Sequence, residues 1–174
     1  MANIRGFRSK EESLQKVLKT ITPSALLLNE TLLTGNTRVS LTPYTTWMRN
    51  RKDKEGGGIL TAVSPQYKDS CVGAGEGEGE EEYLNTRLEC FSPALNIINC
   101  YGEQRRTRKE DVERRWGNLC KEMEDIRMRK EFVCLGGDLN KLVGVGQWGV
   151  PGNHPDIIYN GFISIGCVSY RSKY

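Results

Sequence analysis

Three short apolar segments with polar residues at or just beyond their ends constrain the fold of this chain more than any other feature. The segments are residues 25–28 (ALLL), 94–101 (ALNIINCY) and 132–136 (FVCLG). Each is short enough to be a buried β-strand. The polar residues at or just beyond their ends are Glu30, Tyr101, Asp138 and Asn140. Because ligand sites of α/β sheets gather at strand ends, we expect these side chains to meet at one edge of the sheets.

Two amphipathic segments predict helices. Ser9 and Glu12 have the spacing of a capping box and precede apolar residues at helical spacing, so a helix is predicted over about residues 10–20. In the second segment, apolar residues recur four and three positions apart: Val112, Trp116, Leu119, Met123 and Ile126. Residues 58–64 and 84–90 add further strands. The order of helices and strands predicts a mixed α/β layer architecture.

Two charged segments are predicted to be loops. Residues 48–57 (MRNRKDKEGG) have the composition of a basic turn that ends in glycine. Residues 73–82 combine glycine with acidic residues and show no periodicity, so they are predicted to form an exposed, mobile loop.

Composition excludes several classes of protein. The sequence is 37% hydrophobic and 27% charged, as in globular proteins, and no apolar stretch approaches the roughly 20 residues that cross a bilayer. The first ten residues, MANIRGFRSK, lack the apolar segment of a secretory signal. Six widely spaced cysteines and a single histidine argue against a disulfide framework and a zinc site. We therefore expect an intracellular protein with no membrane partner.

Two carboxylates and an amide at one edge of the sheets suit Mg²⁺-assisted attack on a phosphate. Mg²⁺ prefers oxygen ligands and needs only one or two protein carboxylates besides phosphate oxygens and water. A second carboxylate can orient or deprotonate the attacking water. Each acid taken by itself is better explained as the cap of a turn, and that interpretation stays open at this point.

Five short motifs in order carry a resemblance to a known family. They are NIRGF at 3–7, LLLNETLL at 26–33, GGGI at 56–59, NIINCYGE at 96–103 and GGDLN at 136–140. Together they resemble the endonuclease/exonuclease/phosphatase family, and within it most closely the endonuclease domain of non-LTR (LINE-type) retrotransposons. The resemblance implies a DNase I-like four-layer α/β sandwich, truncated at its C-terminal end. Residues 1–161 would form the partial domain and residues 162–174 a divergent tail.

The resemblance also implies roles for individual residues. Glu30 resembles the metal-binding carboxylate, and Asn3 the asparagine beside the metal. Asp138 resembles the acid that orients or activates the nucleophilic water, Asn140 its phosphate-binding neighbour, and Tyr101 the hydroxyl that contacts the scissile phosphate. The implied cofactor is Mg²⁺, with Mn²⁺ as a substitute. The implied partners are DNA and a reverse transcriptase domain in the full-length element, with action in the nucleus.

One departure from the family leaves two other functions open. The family carries a Ser-Asp-His motif on late strands, which nothing in this sequence matches; the single histidine, His154, lies in the loop-like segment GNHPD. Impaired activity is therefore expected. The chain could instead be a non-catalytic remnant that binds nucleic acid weakly, or a phosphatase acting on small phosphate esters.

A basic segment precedes the second helix and is a candidate nucleic-acid contact. It contains Arg105, Arg106, Arg108 and Lys109. Cations at a helix N-terminus oppose the helix dipole, whereas a bound phosphate would be favoured by both the cations and the dipole. The alternative is a solvated surface compensated by nearby acidic residues.

Overall fold

Two β-sheets pack face to face, and one helix covers the outer face of each. The computed structural model describes residues 1–51, 57–74, 77–78, 82–102 and 109–138. The elements in chain order are β1 (Ala2–Asn3), α1 (Glu11–Ile21), β2 (Ala25–Asn29), β3 (Thr45–Asn50), β4 (Ile59–Val63), β5 (Cys71–Ala74), β6 (Gly77–Glu78), β7 (Tyr83–Leu88), β8 (Leu95–Tyr101), α2 (Lys109–Met128) and β9 (Phe132–Asp138). This arrangement confirms the predicted four-layer α/β sandwich.

The first sheet has the strand order β1-β2-β4-β3-β6. β2 pairs antiparallel with β4 from Ala25↔Val63 to Asn29↔Ile59. β1 runs parallel to β2 and pairs Asn3 with Asn29. The strand β1 therefore delivers Asn3 to the same end of the sheet at which β2 finishes.

The second sheet has the strand order β5-β7-β8-β9. β8 and β9 are parallel, and their register ends on the pair Tyr101↔Asp138. The predicted strands of this sheet are confirmed, but β9 continues two residues beyond the predicted end at Gly136.

Three apolar clusters fill the spaces between the four layers. The first, which includes Leu14, Leu18 and Leu28, lies between α1 and the first sheet. The second lies between the two sheets, and the third joins the second sheet to α2 through Leu119 and Ile126. The apolar stripe predicted for the second helix is thus confirmed for its described side chains.

The predicted capping box of the first helix is wrong. Lys10 occupies the N-cap position of α1 without a side-chain capping bond. The Ser9 hydroxyl instead donates to the Gly6 carbonyl oxygen at 3.2 Å, which shows that a local turn competes for the same side chain. None of the helices in the described residues is long and apolar enough to span a membrane.

The two predicted loops are partly wrong. The strand β3 extends to Asn50, inside the segment predicted to be a turn. The predicted acidic loop includes residues of β5 and β6, and it ends at Glu82, which is only 8% exposed. Glu82 is buried because Arg51 hydrogen-bonds to its carboxylate and Arg115 lies 3.8 Å from it. These partners are distant in sequence, so local composition gave no sign of them.

Candidate active site

The paired glycines before Asp138 allow β9 to approach its neighbours closely. Gly137 has φ +146°, and a Cβ placed there would lie 1.6 Å from the Cys100 carbonyl oxygen. A Cβ on Gly136 would lie 2.7 Å from a methyl group of Leu27 in the opposite sheet. A larger residue at position 137 would displace the backbone, and one at position 136 would displace the Leu27 side chain. The two glycines therefore place the end of β9 against both β8 and β2.

The end of β2 has an unusual backbone conformation. Glu30 has φ 54° and Arg5, in the turn that follows β1, has φ 46°. Non-glycine residues in this left-handed region cost on the order of 1–3 kcal/mol each and concentrate at functional sites. The turn is held to the strand end by backbone hydrogen bonds from Ile4 to Asn29 (3.0 Å) and from Gly6 to Glu30 (2.8 Å).

Four of the five predicted site residues lie together at this end of the sandwich. The Tyr101 hydroxyl donates to Glu30 Oε1 at 2.6 Å, and Asn3 Nδ2 donates to Asp138 Oδ2 at 2.8 Å. Tyr101 is buried, and the Glu30 side chain is 18% exposed. These contacts join residues from both sheets into one site, whereas the catalytic roles assigned to them stay predictions.

The remaining predicted residues cannot be placed in this site. Asn140 and the basic residues Arg105, Arg106 and Arg108 lie outside the described residues, and Lys109 is described only as the first residue of α2. The predicted domain boundary at residue 161 also lies outside them.

A pair of buried asparagines behind the carboxylates was missed by the sequence reasoning. Asn29 and Asn99 are both 0% exposed, and Asn29 Nδ2 donates to Asn99 Oδ1 at 3.0 Å. Asn29 Oδ1 accepts a hydrogen bond from the backbone N–H of Asp138 at 3.1 Å. An asparagine inside one apolar run and another directly after a second run were the available signal, because buried amides require partners.

Arg5 was also missed, although it lies two residues after Asn3 in the first motif. Its Nε is 3.9 Å from Glu30 Oε2, and its side chain is 84% exposed. An ion pair this long and this exposed contributes little to stability. The guanidinium is consequently available to a ligand that approaches Glu30 from solvent.

The donor set at this end fits a hard divalent cation. Asn3 Oδ1 is buried and has no hydrogen-bond partner among the described residues, and it belongs to the same side chain that contacts Asp138. Glu30 and Asp138 add carboxylate oxygens. The described residues contain no group of three or more His, Cys, Asp or Glu side chains that could hold a metal. Two carboxylates with an amide oxygen match the sparse protein ligation of Mg²⁺, and Mn²⁺ accepts the same ligands.

The thiol that precedes Tyr101 in the chain is unsuited to metal binding. Cys100 precedes Tyr101, and burial, reinforced by the charge of Glu82, raises the pKa of its thiol to about 12. A metal-binding cysteine must be deprotonated, so oxygen atoms are the relevant donors here.

Comparison with known proteins identifies the fold. No protein-family model matches the sequence, and no curated protein matches it. Among solved structures, the 3'-5' exonuclease NExo from Neisseria meningitidis has a TM-score of 0.59 at 17% identity over 79% of this chain and 56% of that one. The APE2 catalytic domain from Xenopus laevis has a TM-score of 0.58 at 17% identity, over 79% of this chain and 56% of that one. The AP endonuclease LMAP from Leishmania major has a TM-score of 0.56 at 18% identity, over 73% of this chain and 46% of that one.

These likenesses define the class of fold. The chain has the DNase I-like α/β sandwich of the AP endonucleases and related exonucleases, as predicted. It spans about half the length of each of these three solved structures.

Proposed function

We propose that the chain provides the metal-binding and water-orienting part of a Mg²⁺-dependent phosphodiesterase that nicks DNA. The observation that carries this proposal is the meeting of Glu30 and Asp138 at one end of the sandwich. The two acids lie at the ends of strands from different sheets and are 108 positions apart in the chain. Capping of a local turn by each acid would not explain why they meet. The shared fold of an AP endonuclease and an exonuclease supports nuclease chemistry.

Each side chain has a definite task in this proposal. Glu30 binds the cation through its carboxylate, which the Tyr101 hydroxyl holds in place at 2.6 Å. Asn3 contributes its unpartnered Oδ1 to the cation and fixes Asp138 through Nδ2. Asp138 orients the attacking water and accepts its proton. A bound Mg²⁺ supplies charge that stabilises the phosphate oxygens as negative charge develops on them. Asn140 is proposed to bind the phosphate.

DNA, rather than a small ester, is the proposed substrate because basic residues surround the site in sequence. Arg5 lies beside Glu30, and Arg105, Arg106, Arg108 and Lys109 follow Tyr101 closely. Together with the ordered motifs, this supports a retrotransposon-type endonuclease that acts in the nucleus. A reverse transcriptase domain is then proposed in the full-length element, and a downstream reading frame that encodes neither this domain nor a Ser-Asp-His motif would contradict the assignment.

Binding of Mn²⁺, followed by electron paramagnetic resonance, tests the metal site independently of turnover. The 174-residue chain is expected to bind Mn²⁺, and Mg²⁺ is expected to displace it. Glu30→Gln should weaken this binding strongly. Glu12→Gln is the matched control, since Glu12 is an 85% exposed glutamate on α1, and it should leave the affinity unchanged. A chain that binds no Mn²⁺, or a Glu30→Gln variant that binds it normally, would contradict the proposal.

Nicking of supercoiled plasmid tests the reaction. Because losing one charge-stabilising donor costs about 100- to 1000-fold in rate, the chain without a Ser-Asp-His motif should nick weakly at most. Adding a C-terminal segment of the family type that carries this motif should restore nicking, and Asp138→Ala should abolish it again. Release of phosphate from small esters without nicking would favour the phosphatase. DNA binding with neither reaction, in the extended chain, would favour the non-catalytic remnant.

A further inference from the structure

The two sheets meet at the site through a hydrogen-bonded pair of carboxamides. Asn29 ends β2 in the first sheet, and Asn99 lies in β8 in the second. Besides their mutual bond, Asn29 Nδ2 donates to the Cys100 carbonyl oxygen at 3.3 Å. Asn99 Nδ2 donates to the carbonyl oxygens of Leu28 (3.1 Å) and Leu60 (2.9 Å). With the bond from the Asp138 N–H to Asn29 Oδ1, both carboxamides have partners for every polar atom.

This pair lies within a largely apolar layer. The cluster between the sheets includes Leu27, Ile59 and Ile97. Burying an amide there has a desolvation cost that its hydrogen bonds largely offset, so two apolar residues of similar shape would serve stability about as well. Apolar contacts are not directional, whereas a fully satisfied polar network fixes one relative position of the parts it joins. The pair therefore adds positional specificity more than stability.

The positions that the pair fixes are those of the two acids. Asn29 is bonded covalently to Glu30, and its Oδ1 holds the backbone N–H of Asp138. The side chain of the residue before Glu30 is thus hydrogen-bonded directly to the backbone of Asp138. A metal site requires its ligands within about 0.5 Å of their working positions, which packing of two sheets alone does not guarantee.

We propose that Asn29 and Asn99 are positioning residues that set the separation of the Glu30 and Asp138 carboxylates, and through it the affinity of the site for a divalent cation. Neither amide touches the cation. The inference rests on the proposed function, because it assumes that Glu30 binds a cation and that Asp138 orients water beside it.

The test is the double variant Asn29→Leu/Asn99→Leu in the full 174-residue chain. Replacing both partners removes the amides together and leaves no unpaired side-chain amide. The midpoint of thermal unfolding should fall by no more than about 5 °C. Mn²⁺ affinity should fall at least tenfold, and amide hydrogen exchange at Asp138, measured by NMR without metal, should accelerate at least tenfold.

The matched control is Asn85→Leu/Asn96→Leu. Asn85 Nδ2 donates to Asn96 Oδ1 at 3.2 Å, so this is also a buried asparagine pair, but it contacts Glu122 and Glu131 and neither site carboxylate. Its loss should lower stability and leave both Mn²⁺ affinity and Asp138 exchange unchanged at temperatures well below unfolding.

The outcomes separate this inference from the proposed function. Unchanged Mn²⁺ affinity in the Asn29→Leu/Asn99→Leu variant, or an equal loss in the control, overturns the inference and leaves the function standing. Absence of Mn²⁺ binding in the unmodified chain overturns the function and the metal part of the inference. If amide hydrogen exchange at Asp138 is unchanged in the Asn29→Leu/Asn99→Leu variant, the inference is overturned whether or not the chain binds Mn²⁺. If the variant does not fold, Asn29→Ser, which keeps a polar oxygen, replaces it with the same expected losses.

Discussion

At the end where β8 and β9 begin, Glu131 accepts hydrogen bonds from two arginines. At the end where they finish, Glu30 accepts a hydrogen bond from the Tyr101 hydroxyl, with the exposed Arg5 guanidinium 3.9 Å away, and Asp138 accepts one from the Asn3 carboxamide. Arg87 Nη2 lies 2.7 Å from Glu131 and Arg129 Nε lies 3.2 Å from it. A cationic partner neutralises a buried carboxylate. A neutral donor fixes a carboxylate oxygen and leaves its negative charge to attract a cation from solution. The difference distinguishes an acid that serves stability from acids suited to bind a ligand.

The largest effect is expected from adding one methyl group at the site end. Gly137→Ala forces a Cβ against the Cys100 carbonyl oxygen at φ +146°, so we expect a loss of roughly 3 kcal/mol or more of unfolding free energy together with Mn²⁺ binding. Gly117→Ala is the control, because a Cβ at that position in α2 meets no atom within 4 Å. It should stabilise the protein by about 0.5–1 kcal/mol. Equal behaviour of the two variants in urea unfolding would refute this account.

Exchanging one carboxylate for an amide at each end compares the two ends directly. Glu30→Gln should reduce Mn²⁺ affinity and metal-dependent nicking by about 100-fold or more, because it removes the charge of the proposed metal ligand, and should change stability little. Glu131→Gln should lower the midpoint of thermal unfolding and leave Mn²⁺ affinity unchanged. Titration calorimetry and thermal melts of both variants check this. The comparison fails if Glu131→Gln weakens metal binding as much as Glu30→Gln.

A smaller effect is expected from the neutral donor on Glu30. Tyr101→Phe removes the hydroxyl that donates to Glu30 Oε1 and retains the buried ring. A hydrogen bond to a charged group contributes about 1.5–3 kcal/mol, so metal-dependent nicking by the chain extended with Ser-Asp-His should fall roughly tenfold or somewhat more. Tyr44→Phe is a matched control, since its hydroxyl donates to the Pro23 carbonyl oxygen away from the site. Equal rates for the two variants would remove Tyr101 from the site.

The smallest effect is expected in the stability of the fold at low pH, where the Glu131 carboxylate becomes protonated. Hydrogen bonding from Arg87, followed by that from Asn96 and Arg129, lowers the pKa of Glu131 from 4.5 to about 2. Because the folded pKa lies below the unfolded one, this carboxylate stabilises the fold fully above about pH 4.5, and the contribution is lost as pH falls toward 2. Thermal melts from pH 6 to pH 2 should therefore show a shallower decline in Glu131→Gln than in the unmodified chain. Parallel declines would contradict the assignment.

The sequence was sufficient to predict that the candidate site acids lie together, but it was insufficient to predict the ion pairs. Glu30, Tyr101 and Asp138 follow apolar strands, and strand ends of a layered α/β fold meet, so their convergence was predictable. Glu131 and Glu82 look like ordinary surface acids, because their arginine partners are remote in sequence and only the folded chain brings them near.

The backbone conformation at the site was a second feature that the pattern of residues in the sequence could not predict. The left-handed conformation of Arg5 and Glu30 is imposed by tertiary hydrogen bonds from the turn after β1, and neither residue type favours it. The inter-sheet asparagines were visible as polar residues in or directly after apolar runs, but their partners depend on how the two sheets align.

The hydrogen bond between Asn3 and Asp138 spans 135 residues, nearly the whole described part of the chain. At about 5–20 residues per second, a ribosome takes roughly 7–27 s to make that interval. A nascent chain can form α1 and pair β2 with β4 well before β9 leaves the ribosomal tunnel, yet it cannot assemble both carboxylates. Since such long loops close late and slowly, the candidate active site should be the last part of the described fold to form during translation. In the proposed nuclease, incomplete chains would then be unable to cut nucleic acid.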